Sequence, residues 1–288
     1  MPVELTYVQA VILGVVEGLT EFLPISSTGH LTITEHLLGL PVDAPAVTAY
    51  TAIIQIGAIV ATFIYFAKKI ARLFMAWLHG LLGRPGAREH RDYALAWAVV
   101  VGSIPVGIVG FLLKDVISGP LRSLWVVAVA LVLWSAVIWW AERRHDELEA
   151  AGEQRGEDGV SLRDGLVIGL VQCFSLIPGV SRSGATISAG LVRGLNRVTA
   201  TELSFFMAIP ALTAAGLFEL VDARHDLKTL GPGQMVVGIV VAFVVAYASI
   251  AWLLRFVATN SLRSFVWYRV VLGLVLAGAL ATGLMSAT

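Results

Sequence analysis

Glu17 and Glu21 stand four residues apart in an apolar stretch, so on a helix they share one face. An ionisable side chain at membrane depth costs at least about 2.5–3.5 kcal/mol on insertion scales. Two carboxylates together also repel, so the pair needs a divalent cation, an arginine or a shared proton, unless the helix lies shallow and both reach interfacial water. Downstream, the break Pro24-Ile25-Ser26-Ser27-Thr28-Gly29-His30 sets hydroxyls and an imidazole where a new helix can begin. A helix N-terminus presents free N–H groups and the positive end of the dipole, which suits a phosphate. Capping accounts for one of Ser26, Ser27 and Thr28 but not for all three. His30 is either a satisfied buried imidazole or a general base, acid or nucleophile. A second break, Pro178-Gly179-Val180-Ser181-Arg182-Ser183-Gly184, holds Arg182 between two serines and is followed by Thr186. The arginine fork binds phosphate through two N–H groups, or pairs with Glu17 or Glu21 as structural glue, and the two roles are compatible. Carboxylates suit Mg²⁺ or Ca²⁺, and the remaining groups suit phosphate. The chemistry that fits is metal-assisted phosphoryl transfer to water.

These residues need a scaffold that carries polar groups into an apolar medium. Hydrophobic residues make up 57% of the 288, charged residues only 14%, and the mean hydropathy is +0.82. Soluble domains carry about 25% charged residues, so an ordinary soluble enzyme and a disordered chain are excluded. Twenty basic residues balance twenty acidic ones, which argues against a nucleic-acid partner. The single cysteine, Cys173, excludes a disulfide framework and a cysteine-cluster metal site. No cleavable signal peptide is expected, because Met1–Tyr7 lacks a basic region.

Six segments are long and apolar enough to span a bilayer: Val47–Phe66, Tyr93–Leu113, Leu124–Ala141, Ala200–Val221, Gln234–Leu254 and Phe265–Met285. Residues 8–40 and 165–195 are apolar but interrupted by the two breaks, as in re-entrant helix–loop–helix hairpins. A shift of 155 residues brings Gly14 onto Gly169, Glu17 onto Gln172, Ser26 onto Ser181, Gly29 onto Gly184 and Gly39 onto Gly194. The expected fold is an all-α polytopic membrane protein in one domain. It is built as an inverted-topology repeat, 1–150 and 156–288, each half a re-entrant hairpin followed by three spans. Paired interruptions in inverted halves point to a site near the bilayer midplane.

With the N-terminus outside, fourteen of the twenty basic residues fall on the cytoplasmic side. The outer side keeps Lys114, Arg122, Arg224 and Lys228, so both termini are expected outside. The acid-rich stretch Glu142–Asp164 is expected to be a solvated connector. Glu202, Glu219 and Arg269 are expected to snorkel from span ends. The remaining histidines (His36, His79, His90, His145 and His225) are expected mostly in or beside loops, and Trp125, Trp134, Trp139, Trp140 and Trp267 near span ends or lipid faces, as in an aromatic belt. Gly14 and Gly18 form a small-residue face suited to close helix packing. Neither a Walker-A pattern nor an H-E-x-x-H zinc motif occurs.

The run Glu17-Gly18-Leu19-Thr20-Glu21-Phe22-Leu23-Pro24-Ile25-Ser26-Ser27-Thr28-Gly29-His30-Leu31 resembles the first signature of the bacterial undecaprenyl-diphosphate phosphatase family, also called the bacitracin-resistance family. Pro178-Gly179-Val180-Ser181-Arg182-Ser183-Gly184-Ala185-Thr186 resembles its second, and the likeness covers the whole chain. The resemblance implies a multi-pass enzyme of the bacterial inner membrane that hydrolyses a C55 polyprenyl diphosphate to the monophosphate and inorganic phosphate. That reaction recycles the lipid carrier for peptidoglycan synthesis and lowers the target of bacitracin. The resemblance also implies a divalent cation, Mg²⁺ or Ca²⁺, and a site open to the periplasm. Carried over by position, Glu17 and Glu21 take metal or base roles. Ser27 and His30 take nucleophile or acid–base roles, and Arg182 binds phosphate. Ser26, Thr28, Gly179, Ser181, Ser183 and Thr186 line the diphosphate. The nucleophile stays open among Ser27, His30 and a metal-bound water, and the oligomeric state stays open too, a homodimer included. The rival reading is a secondary transporter or flippase for a polyprenyl phosphate on the same repeat. A phosphatidic-acid-phosphatase motif would need His at Ser188 and Asp at Val192, and has neither.

Overall fold

A computed structural model describes residues 5–42, 44–222 and 231–287. Among the described residues the regular structure is helical. The first half contains α1 (Tyr7–Thr20), α2 (Ser27–Leu37), α3 (Pro45–Tyr65), α4 (Ala67–Leu81), α5 (Arg91–Leu112), α6 (Lys114–Ser118) and α7 (Leu124–Ala150). The second contains α8 (Leu162–Gln172), α9 (Arg182–Val192), α10 (Arg197–Asp222), α11 (Pro232–Val257) and α12 (Arg263–Ala281). Helices α3, α5, α7, α10, α11 and α12 are long and apolar enough to cross a membrane. They coincide with the six expected spans, and the chain is an all-α polytopic membrane protein. Both interrupted segments fold as two short helices around the polar break, α1–α2 and α8–α9. Arg224, Lys228 and His225 lie outside the described residues, as does the side chain of Glu219.

Close helix packing places the breaks. Helix α1 lies on α11, and a Cβ added to Gly18 would sit 2.6 Å from the Ala242 carbonyl oxygen. The Gly14–Gly18 face is therefore a packing face. Helix α8 lies on α5 with the same intimacy, Gly169 meeting the Gly102 backbone. Helix α3 bridges α10 and α11, while α7 packs on α9 and α12. The central core gathers Phe22, Leu23 and Ile25 from the first break with Ile138, Ile187, Leu203 and Phe205. The breaks thus sit inside the bundle rather than at its rim.

The stretch Glu142–Asp164 is not the solvated connector expected from its charge. Helix α7 continues through it to Ala150, and Glu142, His145 and Asp164 are buried. Arg197 of α10 donates to Glu142 Oε2 at 2.7 Å and to Asp146 Oδ1 at 2.9 Å, and the Leu262 N–H donates to Glu142 Oε1 at 2.8 Å. Charges meant for water are instead paired with distant cations, so the helix keeps its register beyond the apolar segment. His145 accordingly lies within α7, not beside a loop. Glu202 does not snorkel either: it accepts from Lys69 Nζ at 2.7 Å. Amphipathic α4, which carries Lys69, was not foreseen as a helix.

Asp164 anchors the start of α8. Arg155 reaches its two oxygens at 2.8 and 3.1 Å, Arg193 donates at 2.8 Å, and Ser161 donates from its hydroxyl at 2.7 Å. Burial alone would push this carboxyl up, but the hydrogen bonds from Arg155, Ser161 and Arg193 hold it well below the usual carboxylate range. Asp164→Asn is expected to cost about 2–3 kcal/mol, less than a wholly buried pair because both arginines are about one-third exposed. A depressed folded value stabilises above the unfolded one, near 4, and that contribution fades as pH falls below it. Thermal unfolding in detergent from pH 7 to pH 3 should show an acid loss in the parent that is smaller in Asp164→Asn.

Candidate active site

The two breaks share one local construction. Ser26 (φ 76°) and Ser181 (φ 77°) are the described non-glycine residues with positive φ, and each caps the helix that follows. With ψ at 96° and 122° this sparsely populated conformation costs an L-residue about 1–3 kcal/mol. It turns each serine Oγ back to accept the N–H three residues on, from Gly29 at 3.4 Å and Gly184 at 3.1 Å. Glycine would adopt the angle more readily but would leave the first turn uncapped.

The breaks also grip each other. Ser26 Oγ accepts a second hydrogen bond, from the Gly179 N–H at 3.1 Å, and Ser183 Oγ donates to the Leu23 carbonyl at 2.9 Å. Gly179 (φ 98°) must be glycine, because a Cβ there would lie 2.6 Å from the Val127 carbonyl oxygen. The result is one polar centre with the N-termini of α2 and α9 both opening on it.

Glu21 is the hub. Arg182 Nη2 donates to Glu21 Oε1 at 3.0 Å and to its carbonyl at 3.3 Å, while Ser27 Oγ donates to Glu21 Oε2 at 2.6 Å. The other end of the guanidinium donates to the Ser204 carbonyl at 3.1 Å, and its carbon lies 5.9 Å from the centre of the Phe22 ring. Ser204, inside an apolar span, gave no sign of this role in the sequence.

Two buried polar atoms at this centre lack a partner. Arg182 Nε has no acceptor, and Glu17 Oε1 has no donor. Buried groups are normally satisfied, so an orphan donor and an orphan acceptor mark room for an anion and for a cation or proton. Glu17 is 1% exposed. Among the described residues no three His, Cys, Asp or Glu side chains group together, so a divalent cation would depend on oxygens from a bound phosphate. Glu17 fits such an ion through its free oxygen. Each oxygen of Glu21 already accepts a hydrogen bond, from Arg182 or Ser27, so a cation there would take a remaining lone pair.

His30 faces a different set. Its Nδ1 lies 2.7 Å from the Ser26 carbonyl oxygen and its Nε2 lies 2.7 Å from the Tyr268 hydroxyl, with the two rings stacked 5.6 Å apart. A carbonyl only accepts, so Nδ1 carries the proton, and the Nε2 lone pair of the neutral ring accepts from Tyr268. Neither nitrogen is free. Thr28 is exposed, and its carbonyl accepts from Thr32. Ser181 Oγ shares a 3.1 Å contact with Ser183, and Thr186 donates to the Arg182 carbonyl at 2.9 Å and meets Ser204 Oγ at 2.6 Å. The structure therefore brings Glu21, Ser27 and Arg182 into direct contact. Ser26, Gly179, Ser181, Ser183 and Thr186 form the frame behind them.

Sequence reasoning missed Tyr268 and Arg269. Arg269 does not snorkel. It is fully buried and holds backbone carbonyls of both breaks. Its cost in lipid is offset by acceptors that the apolar sequence around it does not reveal.

The chain is similar to known proteins over nearly its whole length. A family model described as bacitracin resistance protein BacA matches residues 10–275. An undecaprenyl-diphosphatase of Cutibacterium acnes is 49% identical over 98% of this chain and 100% of its own length. An undecaprenyl-diphosphatase of Acidothermus cellulolyticus is 53% identical over 97% of this chain and 99% of its own. Undecaprenyl-diphosphatase 3 of Frankia casuarinae is 52% identical over 97% and 99%.

Proposed function

Because the chain belongs to the bacitracin resistance protein family, we propose that it is an integral membrane phosphatase converting undecaprenyl diphosphate to undecaprenyl phosphate and inorganic phosphate. The observation that carries this reading is the Arg182–Glu21–Ser27 chain, in which an anion-binding fork, a carboxylate and a hydroxyl are in contact. A diphosphate before the N-termini of α2 and α9 meets free N–H groups and the unpaired Arg182 Nε. A transporter would need the same charges but no hydroxyl held against a carboxylate, so hydrolysis is favoured.

We assign Ser27 as the nucleophile, because both nitrogens of His30 are engaged and His30 instead positions the Ser26 turn. Ser27 Oγ bonds to the terminal phosphorus as the bridging P–O bond breaks. Glu21 takes the serine proton and passes it to the departing lipid phosphate. Water then attacks the phosphoserine, Glu21 relays its proton to Ser27 Oγ, and inorganic phosphate leaves. Glu17 would hold Mg²⁺ or Ca²⁺, which supplies neutralisation of phosphoryl charge. The two halves act as inverted repeats, with α1–α2 and α8–α9 as re-entrant hairpins and both termini on the periplasmic side of the inner membrane.

The direct test is phosphate release by purified protein from a polyprenyl diphosphate with Mg²⁺ or Ca²⁺, together with acid-quench trapping of a phosphoserine. Ser27→Ala should fall to background, at least about 10³-fold below the parent. Tyr268→Phe keeps the stacked ring but frees His30 Nε2, and is expected to lower kcat by no more than about threefold. A change above tenfold with Tyr268→Phe, alongside an active Ser27→Ala, would transfer the nucleophile to His30.

A further inference from the structure

Helix α12 brings a buried cation to the breaks that the mechanism above leaves unused. Arg269 is 0% exposed inside a helix apolar enough to cross a membrane. Its Nη1 donates to the Pro24 carbonyl at 3.0 Å and its Nη2 to the Gly179 carbonyl at 2.9 Å. Its Nε reaches Ser135 Oγ at 3.3 Å, and Nη2 also approaches the Ala130 carbonyl at 3.5 Å, both on α7. Pro24 and Gly179 are equivalent positions under the 155-residue shift, each two residues before the serine that caps the following helix. One planar fork therefore holds the same backbone atom in both breaks.

The acceptors are all uncharged. Four of the five guanidinium N–H groups find an acceptor, yet the charge is not neutralised by any of the four. A buried cation without a counter-ion is unfavourable, and an anion placed before the nearby helix N-termini relieves it. Two properties follow from one residue. The fork sets the spacing of the α2 and α9 N-termini, and the charge favours an anion between them.

We propose that Arg269 is a positioning residue of the phosphate site, one that fixes the two helix N-termini relative to each other and raises their affinity for diphosphate. The inference rests on the phosphatase reading but makes a separate claim, that geometry and charge at residue 269 can be taken apart. Lysine keeps the charge but cannot hold two carbonyls as a planar fork does. Glutamine loses the charge.

The test uses full-length protein in detergent and two readouts. The first is the affinity for inorganic diphosphate, from its concentration-dependent thermal stabilisation in EDTA. The second is kcat for phosphate release with the divalent cation restored. Arg269→Gln should weaken diphosphate binding at least about tenfold, because a fixed charge near the anion is gone. Arg269→Lys should bind within about threefold of the parent yet turn over at least about tenfold more slowly, because the N-termini are no longer held in place. If Arg269→Gln does not fold, Arg269→Lys decides alone: an unchanged kcat overturns the proposal, and a lowered kcat with intact binding supports it. Folded variants matching the parent within twofold in both readouts would show a mere strut. A parent that binds diphosphate but releases no phosphate would instead defeat the phosphatase reading, while the binding difference at residue 269 would still stand or fall by itself.

Discussion

Arg182→Ala is expected to lower kcat/KM at least about 10³-fold, equivalent to about 4 kcal/mol of lost transition-state stabilisation. The alanine removes three things together: the donor to Glu21, the tie to Ser204, and the free Nε that faces the polar centre. It also leaves Glu21 buried beside Glu17 with no cation. The variant should therefore be less stable as well as inactive, by about 2–4 kcal/mol. Arg182→Lys separates the two effects. It keeps a charge near Glu21 but cannot bond Ser204, Glu21 and a phosphate with one planar group, so it should regain most of the stability and little of the activity. Turnover of folded Arg182→Ala within threefold of the parent would remove Arg182 from the site.

The second large effect is expected at Glu17, and its two readouts move in opposite directions. Chelation with EDTA should abolish phosphate release. Glu17→Gln should raise the concentration of Mg²⁺ or Ca²⁺ needed for half-maximal activity at least about 100-fold, because the oxygen that fits the ion loses its charge. Without metal, Glu17→Gln should unfold at a higher temperature than the parent. The carboxylate is buried with an unsatisfied oxygen and shares a helix face with Glu21, so replacing it removes an unfavourable buried charge. The second half already carries a glutamine, Gln172, at the equivalent position, and that side chain is fully buried. The proposed metal role of Glu17 requires an acid at this position in the first half alone. Full activity of Glu17→Gln at ordinary metal concentration would place the ion elsewhere.

Whatever lies close along the chain was legible in the sequence. The Glu17–Glu21 spacing, the two breaks and the six apolar runs all follow from local rules. The 155-residue correspondence foresaw that Ser26 and Ser181 would be alike, and they share their cap and their backbone angle. Partners far along the chain were hidden. Arg197 meets Glu142 across 55 residues, His30 meets Tyr268 across 238, and Arg269 meets Pro24 across 245. Composition made Glu142–Asp164 look like a wet loop and Arg269 like an interfacial charge, because a charge is read as solvated until its counterpart is located. Ser183 and Thr186 show the converse. Their motif announces phosphate chemistry, while their hydroxyls bond to the protein frame.

The distance along the chain between Glu21 and Arg182 also bears on how the protein is made. Those two residues are 161 positions apart. A ribosome adding about 5–20 residues per second needs roughly 8–32 s to cover that interval. Through that time the nascent first hairpin has neither its arginine nor α11, the helix it packs on. Its acidic pair must wait outside the hydrocarbon, or protonated within it, until the second half emerges. The native contacts of α1 with α11 and of Glu21 with Arg182 therefore form only after the second half has been made. A chain stopped before Arg182 would leave the first hairpin without its counter-charge, a natural target for quality-control proteolysis in the membrane.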